Sequence, residues 1–349
     1  LSVLSWTASP ESYLLYEDNA RMSLPGTDAG RAVYEREEAA RQELAGQIVI
    51  DTPDPFFNTL GGALMAAADG IWDGETVLHG ANGWRTPLAG WRGGYAPDVV
   101  GWNDRAVSHF RAYSRSMVTD VPPTLQQPQQ DTLNNLCRAL KEWGTPMYSN
   151  GYICRLPGRT DQMSHYDMNL NYIDELMWHF SYDADSEFLR EMWPYIVLHH
   201  QWEKRNYDWD NDHLYDAYCC IWASDALYYN GGAVTHSSAY NYRSNLLTAR
   251  IAEIIGEDPT PYREEAEAIL KAMNERLWLK DLGYWAEFQD YMGLKRLHKS
   301  AAVWTIYTPI DCDACTPEQA WQATEYVDRS IPRIPVRYTY DEATVRELG

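Results

Sequence analysis

From Pro55 onward the apolar residues of this chain recur at intervals of three and four, the spacing of helices that bury one face. Phe56, Leu60, Leu64, Ala67 and Ile71 mark the first, and Val107, Phe110, Tyr113 and Met117 mark a second over about 101–117. Leu133, Leu136 and Leu140 outline a third over 131–143, and Ile173, Leu176, Met177 and Phe180 a fourth over 167–182. A turn at 183–185 leads to a fifth, capped by Ser186, striped by Phe188, Leu189, Met192, Ile196 and Val197, and interrupted by Pro194. Residues 238–255 are small or apolar on nearly all sides and end at Gly256, which predicts a buried sixth helix. The seventh opens at Thr260–Pro261, carries Glu264 and Glu265 in its first turn, and is apolar on one side through Ala266, Ile269, Leu270, Met273 and Leu277. The eighth starts from a cap at Thr316 and runs to about Ser330. Residues 1–50 predict a lead-in or the end of an upstream module, with a charged amphipathic stretch over 31–44. No strand–helix alternation appears, so the expectation is an all-α chain with its catalytic domain over 51–349.

Connection lengths alternate. The turns after the fourth and sixth helices are short, whereas 73–100, 144–166, 207–237 and 279–315 are long. In an up-and-down array alternate connections emerge on one face, so the long ones are expected to build a single site. The richest is 207–237, with five aspartates, five tyrosines, two tryptophans and two histidines.

Composition narrows the chemistry. Tryptophan (15) and tyrosine (25) far outnumber phenylalanine (6), a bias that suits a wet, ring-lined cleft. A net charge of -21 repels nucleic acid phosphates and anionic membranes. No run of 18 apolar residues occurs. The six cysteines are too few for a disulfide scaffold, and Cys312-x-x-Cys315 lacks the second pair a zinc site needs. Asp208, Asp210, Asp212 and Asp216 stand at positions 1, 3, 5 and 9 of a calcium-loop spacing. His213 replaces the needed glycine and Cys219 the closing glutamate, so the expectation is at most a loose calcium site beside a solvated acidic turn.

The stretches HYDMNLNYIDELMWHF (165–180), DWDNDHLYDAYCCIWASDALYYNGG (208–232) and SSAYNYRSNLLTARIAEIIGED (237–258) carry a resemblance. They are similar to the six-hairpin glycoside hydrolase superfamily of (α/α)6 toroids, in particular to bacterial, secreted members that degrade plant polysaccharides. The likeness covers about 50–330 and implies a toroid fold, a periplasmic or extracellular setting, and an inverting hydrolase without a cofactor, while the Gly- and Trp-rich loops suit a short, exo-type pocket. Such chemistry needs two carboxylates across the scissile bond. The resemblance places the general acid at Asp225, among Trp222, Tyr228 and Tyr229, and Glu287 is expected as the partner carboxylate or as a ligand of a sugar hydroxyl. Trp84, Trp91, Arg92, Trp102 and Asp104 are expected to hold sugar, with a plain Arg92–Asp104 ion pair as the alternative. Asp167, Asn169, Trp222, Tyr228 and His236 complete the expected subsite, although Asp167 also fits a helix cap. The same toroid hosts disaccharide phosphorylases, and a ring-lined cleft also suits a non-catalytic glycan-binding protein. Eight helices fall short of the twelve that six hairpins require, so the barrel is expected to be incomplete here. The missing hairpins would then come from more of the same polypeptide or from a second chain.

Overall fold

The computed structural model describes residues 3–6, 12–17, 20–25, 27–80, 85–124, 142–163, 168–217, 219–220, 227–228, 232–291 and 293–332. For 3–29, 219–220 and 227–228 only the backbone is described. The predicted third helix (131–143) lies almost wholly outside these residues.

The chain begins with three antiparallel strands, β1 (Val3–Trp6), β2 (Ser12–Glu17) and β3 (Ala20–Pro25), before the helix α1 (Thr27–Ala45). The lead-in is therefore a small sheet followed by a helix. Next come the single turn α2 (Pro55–Asn58), α3 (Leu60–Gly70), the short turn α4 (Ala96–Val99) and α5 (Asn103–Ser114). α6 (Met168–Tyr182), α7 (Ser186–Tyr207), α8 (Thr235–Ile255) and α9 (Thr260–Ala272) form the centre. α10 (Val303–Asp311) and α11 (Pro317–Arg329) follow.

Local chemistry sets most boundaries. The Asp185 side chain, one residue before the expected cap at Ser186, accepts the amides of Glu187 and Phe188 at 2.8 and 3.4 Å and starts α7. α7 continues through Pro194 to Tyr207. Gly256 ends α8 in the left-handed region (φ 84°), where a side chain would be strained. Thr316 and Gln319 form a reciprocal capping box at α11. At α9 the cap position falls on Pro259 instead of Thr260, and Met273–Leu277 closes the helix as a wide π turn.

Burial sorts the helices into two layers. α6 is enclosed from Met168 to Met177 and α8 from Thr235 to Asn241, whereas α9 buries Ala266 and Ile269 and α11 buries Ala323. α6 packs on α8 and α8 on α10, so these three form an inner wall; α7, α9 and α11 lie outside it. Against the expectation of one long connection over 279–315, residues 303–311 are helical. A long crossover (280–302) thus enters an inner helix, and a short turn (312–316) leaves it.

Short strands tie the loops at the amino-terminal end of α8. β4 (Cys219–Cys220) pairs with β5 (Leu227–Tyr228), and β6 (Ala233–Val234) pairs with β9 (Phe288–Gln289), which also pairs with β10 (Leu297–His298). β7 (Trp278–Leu279) and β8 (Tyr284–Trp285) form a separate hairpin. A Cβ at Gly232 would lie 2.1 Å from the Gln289 carbonyl oxygen, so glycine permits this junction. The first long connection departs from the expected single loop face. Its second half descends along α6, with Gly90 against the Met168–Tyr172 backbone, Gly94 against Glu175 and Asp98 bonded to His179. Glycines at 90 and 94 allow that approach. Among the described residues Cys154, Cys312 and Cys315 are free thiols, and no helix is long and apolar enough to cross a membrane.

Candidate active site

The inner wall bounds an open pocket of about 520 Å³, whose lining residues Val99, Tyr182 and Tyr307 are exposed. Asn171, Asp174, Trp178 and Tyr182 project into it from α6 at spacings of three and four, one stripe of that helix. The stripe spans twelve residues, about 16 Å over eleven helical rises. Arg92, Tyr95, Asp98 and Val99 face it from the descending segment, Arg243 from α8, and Tyr307 and Asp311 from α10.

Its polar centre is a chain of charges. The Asp174 carboxylate accepts Arg243 Nε at 3.0 Å and Nη2 at 2.8 Å, and the Tyr95 hydroxyl at 2.5 Å. Nη1 of Arg243 donates to the Asp311 carboxylate at 2.6 Å and to its carbonyl at 3.0 Å. Burial raises the Asp174 pKa, with Arg243 and Tyr95 opposing the shift. Burial likewise drives the neighbouring Glu175 carboxyl well above its ordinary range, and the Asp174 charge pushes it the same way. Glu175 accepts the Asn171 amide at 2.8 Å and lies against the turn at 92–94, whose backbone amides favour its charged form. It thereby clamps a turn in which Arg92 adopts a left-handed conformation (φ 59°). Asp98 holds His179 Nδ1 at 2.9 Å on the far side. A polyhydroxylated ligand would meet carboxylate acceptors, guanidinium donors and the faces of Tyr95, Trp178 and Tyr307 in one compartment.

The residues expected from the sequence fall into three groups. Arg92 lines the cavity, and Trp91 next to it packs on His79 with ring centroids 5.0 Å apart. A second group lies at the amino-terminal rim of the inner wall. The Glu287 amide donates to the His298 carbonyl (2.8 Å), and its carbonyl accepts the Thr235 amide (3.1 Å), which seats Glu287 beside the first turn of α8. His236 is fully enclosed there, and burial pulls its pKa down to about 3, so its ring is neutral. The Asn169 side chain, also enclosed, accepts the Ile153 amide at 2.5 Å and works as a strut between loop and helix.

The third group is not brought to the cavity. Trp102 lies under the Arg105 guanidinium (4.1 Å) at the start of α5, against a gap of about 10 Å³. Asp104 is exposed in the first turn of that helix, and the ion pair at this corner joins Arg105 to Asp69 at 3.0 Å. Both residues were expected in the sugar subsite; Trp102 packs instead against Ile71, Trp72 and Val77, behind the segment at 93–97. Trp84, Asp167, Trp222 and Asp225 lie outside the described residues, and of Tyr228 only the backbone is described, in β5.

Tyr95, Asp174, Trp178, Arg243 and Asp311 were not expected from the sequence. The available signal was an adjacent Asp-Glu pair inside an apolar helical stripe and an arginine inside a helix apolar on nearly all sides. Charges in such places need built partners.

No family model matches the chain, and no curated protein matches it. Solved structures do. A GH78 family rhamnosidase of Bacillus sp. GL1 superposes with a TM-score of 0.51 at 12% identity over 77% of this chain and 26% of that one. A rhamnosidase from Klebsiella oxytoca with rhamnose bound gives 0.54 at 14% identity, covering 82% of this chain and 49% of that one. A GH63 mannosylglycerate hydrolase from Thermus thermophilus gives 0.54 at 10% identity, covering 76% of each chain. The chain thus spans about a quarter and about half of the two rhamnosidases. At these identities the likeness shows the fold alone, an all-α toroid.

Proposed function

We propose that this toroid hydrolyses glycosidic bonds in the lumen of its inner wall. The observation that carries the reading is the cavity itself, where Asp174, Asp311, Arg243, Arg92 and aromatic rings converge between α6, α8 and α10. Its volume of about 520 Å³ suits one or two sugar units, which favours exo-action on an oligosaccharide or polysaccharide. The fold shared with two rhamnosidases and a mannosylglycerate hydrolase supports the same class.

Asp174 is saturated by Arg243 and Tyr95, so its role is to orient and not to transfer a proton. The reacting carboxylates are assigned to Glu287, beside the first turn of α8, and Asp225, with Asp225 as general acid and inversion as the outcome. A screen of nitrophenyl glycosides and plant oligosaccharides, with NMR of the first-formed anomer, tests the proposal. Hydrolysis with inverted configuration supports it. Turnover that requires inorganic phosphate would reassign the protein as a phosphorylase, and sugar binding without turnover would make it a glycan-binding protein.

A further inference from the structure

Outside the lumen, Asp208, His213 and Glu265 bring one ligand-type atom each to within 4.8 Å of one another, and Asp208, Asp210 and Asp212 form an overlapping group. The alternating aspartates are the calcium-like spacing of the sequence. The centre of the first group is occupied by protein. Lys204, on the last turn of α7, places its ammonium nitrogen 2.5 Å from Asp208 Oδ2 and 2.9 and 3.1 Å from the two Glu265 oxygens. His213 Nδ1 lies 3.5 Å from the same nitrogen and 3.1 Å from Glu265.

The remaining valences are also used. Asp208 Oδ1 accepts the amides of Asp212 and His213 at 2.8 and 3.2 Å, and Glu265 accepts the Tyr215 hydroxyl at 3.0 Å. Asp212 is paired with Arg276 at 2.5 Å. An ammonium has three donors, and acceptors from the turn and from α9 surround this one. A divalent ion bound to the same oxygens would sit at roughly 2.0–2.6 Å from them, in the volume the nitrogen fills, and the two cations would repel at contact distance. The turn needs such a tie, because Asn211 (φ 57°) and His213 (φ 61°) both hold left-handed backbone without being glycine.

We propose that the Lys204 ammonium is the resident cation of the Asp208–His213–Glu265 cluster, beside the aspartates whose spacing suggests a metal, and that it positions the turn at 208–217. That turn sets the base of the Asp-rich loop. The Asp216 amide donates to the Tyr207 carbonyl (2.6 Å), the Val234 amide to the Tyr215 carbonyl (2.9 Å), and the Ser237 hydroxyl to the Asp216 carbonyl (3.0 Å). Lys204 is thus a positioning residue for the first turn of α8; its bearing on catalysis rests on the glycosidase reading, whereas the cation assignment does not.

The test uses melting temperature and metal content of the full chain, neither of which requires a substrate. The wild type is expected to carry no stoichiometric divalent ion and to melt at the same temperature with EDTA, calcium or manganese. Lys204→Ala should melt lower and recover stability with manganese, since Asp208, His213 and Glu265 then become open ligands. Lys204→Ala with Asp208→Asn should not respond. A wild-type protein that holds one equivalent of divalent ion and loses stability when it is removed would overturn the assignment. So would a Lys204→Ala variant that melts like the wild type. If Lys204→Ala does not fold, the wild-type metal content and EDTA response decide alone.

Discussion

Asp174 and Arg243 join two neighbouring inner helices by a two-point pair, with Nε and Nη2 of the arginine 3.0 and 2.8 Å from the carboxylate oxygens. Both groups are nearly enclosed, and Asp311 takes the remaining edge of the guanidinium. Such a pair is costly to break from one side, because the survivor is left charged and unpartnered. Arg243→Met should therefore lose roughly 3–5 kcal/mol of stability in urea unfolding. Arg243→Lys keeps the charge without the planar fork and should lose less. Equal losses in the two variants would mean that the retained charge contributes nothing without the fork, and would contradict this ranking.

Glu203 on α7 supplies a pH dependence. Burial pushes its carboxyl from 4.5 up to about 8, and the 3.0 Å bond from Asn241 pulls in the other direction. The folded chain keeps a proton that the unfolded chain releases, so this contribution is fully present below the unfolded value. Stability then falls as pH rises through 4.5 toward about 8 and levels off above it. Glu203→Gln removes the titration. At about pH 9 it should be more stable than the wild type by on the order of 3 kcal/mol, with the difference shrinking toward about pH 5. Chemical unfolding across that range checks it, and parallel curves for the two proteins would contradict the assignment.

How much was legible in the sequence follows from where the chain puts its polar atoms. α7, α9 and α11 each have one apolar face, and α7 and α11 start at side-chain caps, so Phe188, Ile269 and Thr316 announce them. α10 was missed because it lies within a long polar connection and contains Pro309, which mimics a loop. α8 begins three residues before the expected Ser238, since Thr235, His236 and Ser237 are polar yet enclosed. Arg92 was visible as a charged residue in a glycine-rich loop. Asp174, Arg243 and Asp311 lie far apart in sequence, and no local spacing shows that three helices bring them together. Trp102 and Asp104 shared a motif with Arg92, but a descending backbone separates them in space.

Two glycines should respond oppositely to alanine. At Gly94 the added Cβ would lie 2.3 Å from Glu175 Oε2, whereas at Gly70 it meets nothing within 4 Å. Gly94→Ala is expected to cost about 1–3 kcal/mol and to displace the Arg92 turn. Gly70→Ala, in the last turn of α3, should be neutral or gain up to about 1 kcal/mol. Thermal melts of the two variants decide, and a harmless Gly94→Ala would show that the Glu175 clamp is loose.

The Thr316–Gln319 capping box predicts a modest effect. Thr316→Ala should cost about 1 kcal/mol through the lost bond to the Gln319 amide, now 3.2 Å. Thr316→Asp should retain most of it. A melt in which the alanine variant matches the wild type would assign the start of α11 to packing alone.

Sugar binding in the lumen is the premise of the proposed glycosidase activity. The most direct measurement is a crystal of the protein soaked with the sugar that the hydrolysis screen identifies. The sugar ring is expected inside the wall formed by α6, α8 and α10, within hydrogen-bonding reach of Arg92, Asp174 or Asp311 and below Glu287. A sugar found only outside that wall, with the cavity holding nothing but solvent, would contradict the account.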